Sequence, residues 1–565
     1  MQAQAVRGGT LRRVTFRFAL LIATLVLAMG LAFAAIPQQA QAATEHTSGS
    51  YTYTVSSGVA TITGYSGSAT TLTVPDTLGD YTVMYIDDEA FANCTTITSV
   101  TFPTTLQTIE SSAFEGCTKL ASVTLPKNLS SLGSYAFANC TKLSTLTVNS
   151  ASLSCNWRGA FQNAGIAGSG ISVTFGSDCK AVPDQFLHTD DSSEAPYVTS
   201  ISMSSSIESI GDDAFDNLTG LTSVVVGSAV TSIGESAFSG CTYLASVTFP
   251  TTLQTIESSA FEGCTKLASV TLPKNLSSLG SYAFTNCTKL STLTVNSASL
   301  SCNWRGAFQN AGIAGSGISV SFGSKCTTIP EDLLKTDDSS EAPNVTKITV
   351  PYTVTSIGDD AFGSVTGYTL AGYKGSVGWT YYKANKSDDD ITWKKLGTVM
   401  SFCSVKLSTT SYVYSGKARA PGVTVKDGST ALKKSTHFTV TYAKGRKSIG
   451  TYKVTVKGVN SAGYYGSVTK TFKIVPGKVT LKKAKGGTNK FTVKWAKRAG
   501  GVKKYQVAYR STGSSSWTYV TVSAKKSSCT VKFSYWHSSS YQVKVRAVTG
   551  SCKGAWSKVR KVKVK

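Results

Sequence analysis

LASVTLPKNLSSLGSYAFANC, residues 120–140, decides the fold. Ser122, Val123, Thr124 and Leu125 alternate polar and apolar, the period of a short strand with one buried face. Pro126 ends that strand, because it cannot donate to a ladder. Leu129, Leu132, Ala136 and Phe137 supply further inward anchors before the phrase closes on Cys140. No stretch this short buries its own apolar face, so it needs neighbours of the same kind, and the chain provides them. A phenylalanine, once a leucine, returns at positions 91, 114, 137, 161, 186, 215, 238, 261, 284, 308, 333 and 362, at spacings of 23 to 29 residues. A period in this range marks a solenoid, in which each coil packs only on the coils beside it.

The expected fold is mainly β: a solenoid of about 12 coils with a parallel sheet, then two small β-sandwich domains. At ~4.8 Å per coil the rod would run roughly 55 Å. Inward strand pairs are apolar from Leu72/Val74 to Ile348/Val350. Outward pairs include Ser99/Thr101, Ser122/Thr124, Ser246/Thr248 and Ser269/Thr271, and of 24 outward positions only Val225 and Lys347 are not Ser or Thr. Those eight residues form a candidate ligand-facing hydroxyl ladder, although threonine also favours strands for its own sake. Residues 99–177 recur at 246–324 with two changes, Ala138→Thr285 and Thr174→Ser321. The offset of 147 residues spans six coils, and copying six coils as a block suits length variation in a binding rod better than it suits a catalytic site.

The phrases IGDDAF at 210–215 and 357–362, GCTKLASVTLP at 116–126 and SIGESAFSGCTYLASVTFP at 232–250 resemble the BspA-like leucine-rich repeats of bacterial surface proteins. The segment 51–75 resembles that family's first coil and 372–397 its closing segment. The resemblance implies adhesion to host matrix proteins such as fibronectin and fibrinogen, or to other cells. It supplies no ligand-contact residues. Residues 414–475 resemble bacterial immunoglobulin-like repeats. The last stretch resembles a fibronectin type III module, with Trp495 on its second strand and YQVAYR, 505–510, on its third. The expected domains are a signal peptide at 1–42, the solenoid with its caps at 43–400, an immunoglobulin-like domain at 401–475 and a type III-like domain at 476–565.

The first of these rests on Arg7, Arg12, Arg13 and Arg17, an apolar run at 18–36 and Gln-Ala-Gln-Ala ending at Ala42, the pattern of a cleaved secretory peptide. No second apolar run of that length follows, so the expected location is extracellular and associated with the cell surface, with no transmembrane segment after cleavage.

Charge divides the chain sharply. Residues 43–400 hold 17 Lys+Arg and 30 Asp+Glu, whereas 401–565 hold 35 Lys+Arg and one acid, Asp427. Lysines alternating with valines keep a strand soluble and guard its edge, yet that does not explain the missing acids. An anionic cell-wall polymer bound by 401–565 explains both, and with export no nucleic acid is expected as partner.

Thirteen cysteines in an exported chain raise the question of bridges. Cys94, Cys117, Cys140, Cys241, Cys264 and Cys287 follow the repeat phenylalanine by three and read as small buried apolar residues. Cys155 with Cys179, Cys302 with Cys326, and Cys529 with Cys552 are candidate disulfides; Cys403 has no evident partner.

No catalytic constellation is legible: four histidines lack metal-site spacing, and no Cys-x-x-Cys pair or phosphate loop occurs. The acidic insertions at 189–196 and 336–343, and Asp388 to Asp390, offer carboxylates to calcium but read more simply as solvated loops. No cofactor or enzymatic activity is expected. The sequence favours a non-catalytic adhesin over a structural stalk, and both over a glycan-active enzyme with accessory domains.

Overall fold

The computed structural model describes residues 44–155, 159–189, 191–302, 306–387, 390–535 and 538–565. The expected signal peptide lies outside them, as do Trp157, Trp304, Asp190, Asp388 and Asp389. Glu45–Lys565 forms one compact unit.

The chain folds as a parallel β-solenoid of about 14 turns followed by two small β domains. Two ladders of strands run along the rod. The longer strands begin at Thr71–Thr73 and stack through Ser122–Leu125 to Val198–Met203; a second stack starts at Ser223–Val225 and continues through Val345–Thr349. Two-residue strands such as Thr108–Ile109, Ser131–Leu132 and Ser278–Leu279 form the other ladder. Two turns exceed the expected 12. They are the strands Thr369–Lys374 and Thr392–Val399, which pair parallel. A parallel pair needs a crossover, and the helix Val377–Asn385 supplies it, with Ser376 as its N-cap accepting from Trp379 N at 3.4 Å.

Each regular coil turns inward through two left-handed residues. The first lies two before the phenylalanine: Ser112, Tyr135, Ser236, Ser259 and Tyr282 have φ between 54° and 59°. The second lies two after it and is always Asn or Gly in the regular coils; Asn93, Asn139 and Asn286 have φ of 56–58°, and Gly116, Gly240 and Gly263 have 70–71°. These are the residue types that tolerate this backbone. The turn lets Phe114 N donate to Ala136 O at 2.7 Å in the next coil and Phe261 N to Ala283 O at 2.8 Å. Neighbouring backbones also meet just after the short strand. A Cβ on Gly234 would lie 2.6 Å from the carbonyl carbon of Gly211, and one on Gly280 2.3 Å from Ser258 N.

The phenylalanines form the core column. Phe91, Phe114 and Phe137 stack at 4.8 and 5.2 Å, and Phe238, Phe261 and Phe284 at 5.1 and 5.3 Å, within 8° of parallel. Ring pairs at these distances add to their burial, itself ~1.5–3 kcal/mol per side chain. The column starts on Tyr65, 5.3 Å from Phe91, and ends on Tyr381 of the helix, 5.3 Å from Phe362. An antiparallel hairpin, Tyr51–Ser56 with Val59–Tyr65, covers the first end.

Beyond Val399, strands Ser404–Leu407, Val423–Asp427 and Thr430–Ala431 make one small sheet, and Ser411–Val413, Phe438–Tyr442, Gly450–Gly458 and Ser467–Val475 make the facing one. The last domain pairs the sheet Leu481–Gly487, Lys490–Trp495 and Ser528–Lys532 with a larger one built on Lys504–Ser511 and Ser540–Thr549. Trp495, Tyr505, Phe491 and Val543 fill its core.

Candidate functional site

Strand alternation places the serines and threonines on the outer side of the long ladder. Ser99 stands beside Ser122, Ser122 beside Thr145, and Thr124 beside Thr147. Thr101 neighbours Thr73, which completes the first four expected positions. In the second stack Ser246 stands beside Ser223 and Ser269, Thr248 beside Val225, and Thr271 beside Thr294. Hydroxyls bond to each other in places: Ser200 Oγ donates to Ser172 Oγ at 2.9 Å, and Thr294 and Ser321 lie 3.2 Å apart. Six of the eight expected residues are exposed; Ser99 and Ser122 are half-buried. The row is interrupted where the two stacks separate, between Val198–Met203 and Ser223–Val225.

On this face the second copy of the repeated block opens a recess of about 510 Å³. Val247 and Phe249 floor it, Thr248 and Thr271 stand at its edge, and Lys274 and Lys325 supply its charge. The corresponding Val100 and Phe102 are 5% and 8% exposed, whereas Val247 and Phe249 are only half-buried. Lys325 corresponds to Asp178, just beyond the copied segment. The two blocks therefore present different chemistry: an apolar floor with two lysines, Lys274 and Lys325, in one, and a closed floor with Lys127 and the Asp178 carboxylate in the other. Sequence reasoning missed this recess; the Asp178/Lys325 difference was its one visible sign.

The structure leaves all 13 cysteines free, at variance with the expected bridges. Cys155 pairs in register with Leu132 and so extends the short-strand row, which Val182 resumes one coil on. Cys179 lies outside that row and donates to Val148 O at 3.0 Å. Cys302 likewise pairs with Leu279, while Cys326 Sγ lies 3.3 Å from Thr328 O. Cys529 stands opposite Val493 in one sheet of the last domain and Cys552 opposite Thr549 in the other. The core thiols have a definite role. Cys117 donates to Phe91 O at 3.2 Å and Cys241 to Phe215 O at 3.1 Å, so each satisfies a backbone carbonyl of the preceding coil.

Acids occupy the corner after the short strands. Asp88 accepts from Ser111 N at 2.9 Å, Asp184 from Asp212 N at 3.0 Å, and Asp212 from Glu235 N at 2.8 Å. Burial, then Asp88 and Asp87, push the Glu110 carboxyl up. In the acidic insertions, Asp191 and Asp338 cap short 3-10 turns, accepting from Ser193 N and Ser340 N at 2.8 Å, and those bonds hold both carboxyls low. His188 Nδ1 lies 3.0 Å from Asp216 Oδ2, and Lys335, 147 residues on, bonds Asp332 and Asp360. Among the described residues, no three His, Cys, Asp or Glu gather as a metal site, and no helix is long and apolar enough to cross a membrane.

A family model for the BspA type leucine rich repeat region, in six copies, matches residues 65–188 and 193–314. One for the fibronectin type III domain matches 474–563. No curated protein matches the chain. Among solved structures, a leucine-rich repeat protein from Bacteroides ovatus is 20% identical over 63% of this chain and 91% of its own, with a TM-score of 0.41. A leucine rich cell surface protein from Faecalibacterium prausnitzii is 24% identical over 60% and 97%, with a TM-score of 0.32. A two-domain fibronectin type III segment of chicken tenascin is 14% identical over 28% and 97%, with a TM-score of 0.21.

Proposed function

The chain carries a BspA-type leucine-rich repeat region and a fibronectin type III domain, both non-catalytic protein-interaction folds, and from that premise we propose that it is a surface adhesin. The solenoid binds a protein ligand on its hydroxyl face: a host matrix protein such as fibronectin or fibrinogen, or a protein on another cell. The recess over Val247 and Phe249 carries this reading. It combines an apolar floor, hydroxyl donors and two lysines in one concave place, the composition from which recognition sites are built. A partner would seat an apolar side chain there and meet Lys274 and Lys325 with acid groups. The basic half, 401–565, tethers the chain to an anionic cell-wall polymer, so its charge and the solenoid's recess act on different partners.

The joint between the two supports this division. Strand Thr392–Val399 of the solenoid pairs with Tyr464–Tyr465 of the next domain, so the sheet continues across the boundary. A continuous sheet holds the rod at a fixed angle on its tether. The test is binding of the full chain to immobilised fibronectin, fibrinogen and purified walls across a salt series. Saturable binding to a matrix protein that survives the salt which strips the chain from walls is the expected result. Absence of binding to matrix proteins and to partner cells contradicts it.

A further inference from the structure

Strands Lys504–Ser511 and Ser540–Thr549 of the last domain pair antiparallel and turn Tyr505, Val507, Val543 and Val545 into the core. Their opposite side carries Gln506 and Arg510 on one strand and Gln542, Lys544 and Arg546 on the other. Register sets Arg510 opposite Gln542 and Arg546 opposite Gln506. Each guanidinium is fixed by its partner: Arg510 Nε donates to Gln542 Oε1 at 2.8 Å, and Arg546 Nε to Gln506 Oε1 at 2.8 Å. Two indoles lie among these cations. Arg510 is 4.6 Å and Lys544 3.8 Å from the Trp517 ring centre; Lys544 is 4.9 Å and Arg546 4.2 Å from that of Trp556.

Three cations thus share one strip, in a half that has a single acid, and that acid is bound elsewhere, to Lys374. Like charges this close repel. The ring contacts offset part of that repulsion, and burial with Arg510 and Arg546 beside it lowers the Lys544 pKa. The strip runs on into a recess of about 260 Å³ lined by Lys503, Lys504 and Lys553, with Gln506 in its wall. A structural ladder would need only the aromatic contacts; the missing counter-charges point to a ligand that supplies them.

We propose that this strip binds a linear phosphodiester polymer without bases, the charged backbone of an anionic wall polymer. The inference rests on the tether reading above and gives it a site. Guanidinium groups present paired N–H donors to phosphate oxygens. Lys544 and Arg546, alternate residues of one strand, stand ~6.6 Å apart along it, a regular spacing suited to regularly spaced anions. Nucleic acid fits less well, because binders of single strands stack bases on open aromatic faces and each indole here already holds two cations.

The test titrates the full-length chain with poly(glycerol phosphate) and, separately, with poly(dT), across a salt series. Arg510→Gln/Lys544→Gln/Arg546→Gln is compared with Lys406→Gln/Lys433→Gln/Lys470→Gln, three exposed lysines of the preceding domain. The strip variant is expected to bind poly(glycerol phosphate) at least tenfold more weakly, with a salt slope shallower by about 2–3, and the control to stay within about threefold. Lys544→Gln alone, which relieves repulsion and so keeps the fold, is expected to weaken binding several-fold. Equal losses in both triple variants would overturn the site while leaving a diffuse tether standing. No binding by the unaltered chain would instead remove the tether reading itself. Tenfold tighter binding of poly(dT), lost in the strip variant, would overturn the occupant.

Discussion

Asp427 Oδ1 lies 3.2 Å from Lys374 Nζ, so the one carboxylate of residues 401–565 is bound to a lysine of the solenoid's last turns. Its other oxygen accepts from Thr398 Oγ1 at 3.2 Å, and only 11% of the side chain is exposed. Around it the sheet crosses from Thr398 to Tyr464, and Tyr465 packs 4.6 Å from Tyr373 and 5.4 Å from Tyr352. An acid is retained where a domain joint needs one.

Replacing it tests the joint. Lys374 is one-third exposed, so water screens the pair and its worth stays near ~1 kcal/mol. Asp427→Asn is expected to weaken the joint by about that amount, read as faster protease cleavage between the domains. Asp427→Asn in a Lys374→Met background should add less than it does alone. Unchanged cleavage would mean the tyrosines and the shared strand hold the joint without the pair.

Gly234→Ala should be costly. Its Cβ would stand 2.6 Å from the Gly211 backbone, which belongs to the preceding coil and cannot swing aside. A loss of about 2–4 kcal/mol in denaturant stability is expected, as for overpacking a rigid site. Gly168→Ala, whose nearest neighbour would be 3.9 Å away, should be close to neutral.

The buried thiols make the rod sensitive to alkali. Burial pushes Cys117 and Cys241 up to about 12, from an ordinary value of 9.0. Above about pH 9 the unfolded chain releases these protons while the folded chain keeps them. Stability is therefore expected to fall as pH rises from about 9 toward 12, by ~1.4 kcal/mol for each unit of separation per thiol. The denaturation midpoint followed through that range should drop, and drop less steeply in Cys241→Ala. A flat profile would contradict it.

Much of this was legible in residues 120–140. The alternation Ser122–Leu125 and the return of Phe137 specify a coil that must stack, and the structure is that solenoid. What escaped was set by contacts distant in sequence. The turns at Thr369–Lys374 and Thr392–Val399 carry no repeat phenylalanine, because a helix replaces that arc. Cys155 and Cys179 looked equivalent by spacing, but register puts Cys155 in the row of Leu132. The recess was invisible for a plainer reason: Val247 and Phe249 repeat Val100 and Phe102 letter for letter, and only their surroundings differ. In the last domain, the alternation of Gln542, Lys544 and Arg546 was readable, while the two tryptophans that reach them were not.

That internal copy also supplies the most direct test of the adhesin reading. The affinity of full-length chain for a bound matrix protein is measured after Thr248→Arg/Thr271→Arg, which crowds the recess, and after Thr101→Arg/Thr124→Arg, the same change in the first copy. The account expects at least a tenfold loss in the former and less than a twofold change in the latter. Equal affinities in the two variants would contradict it.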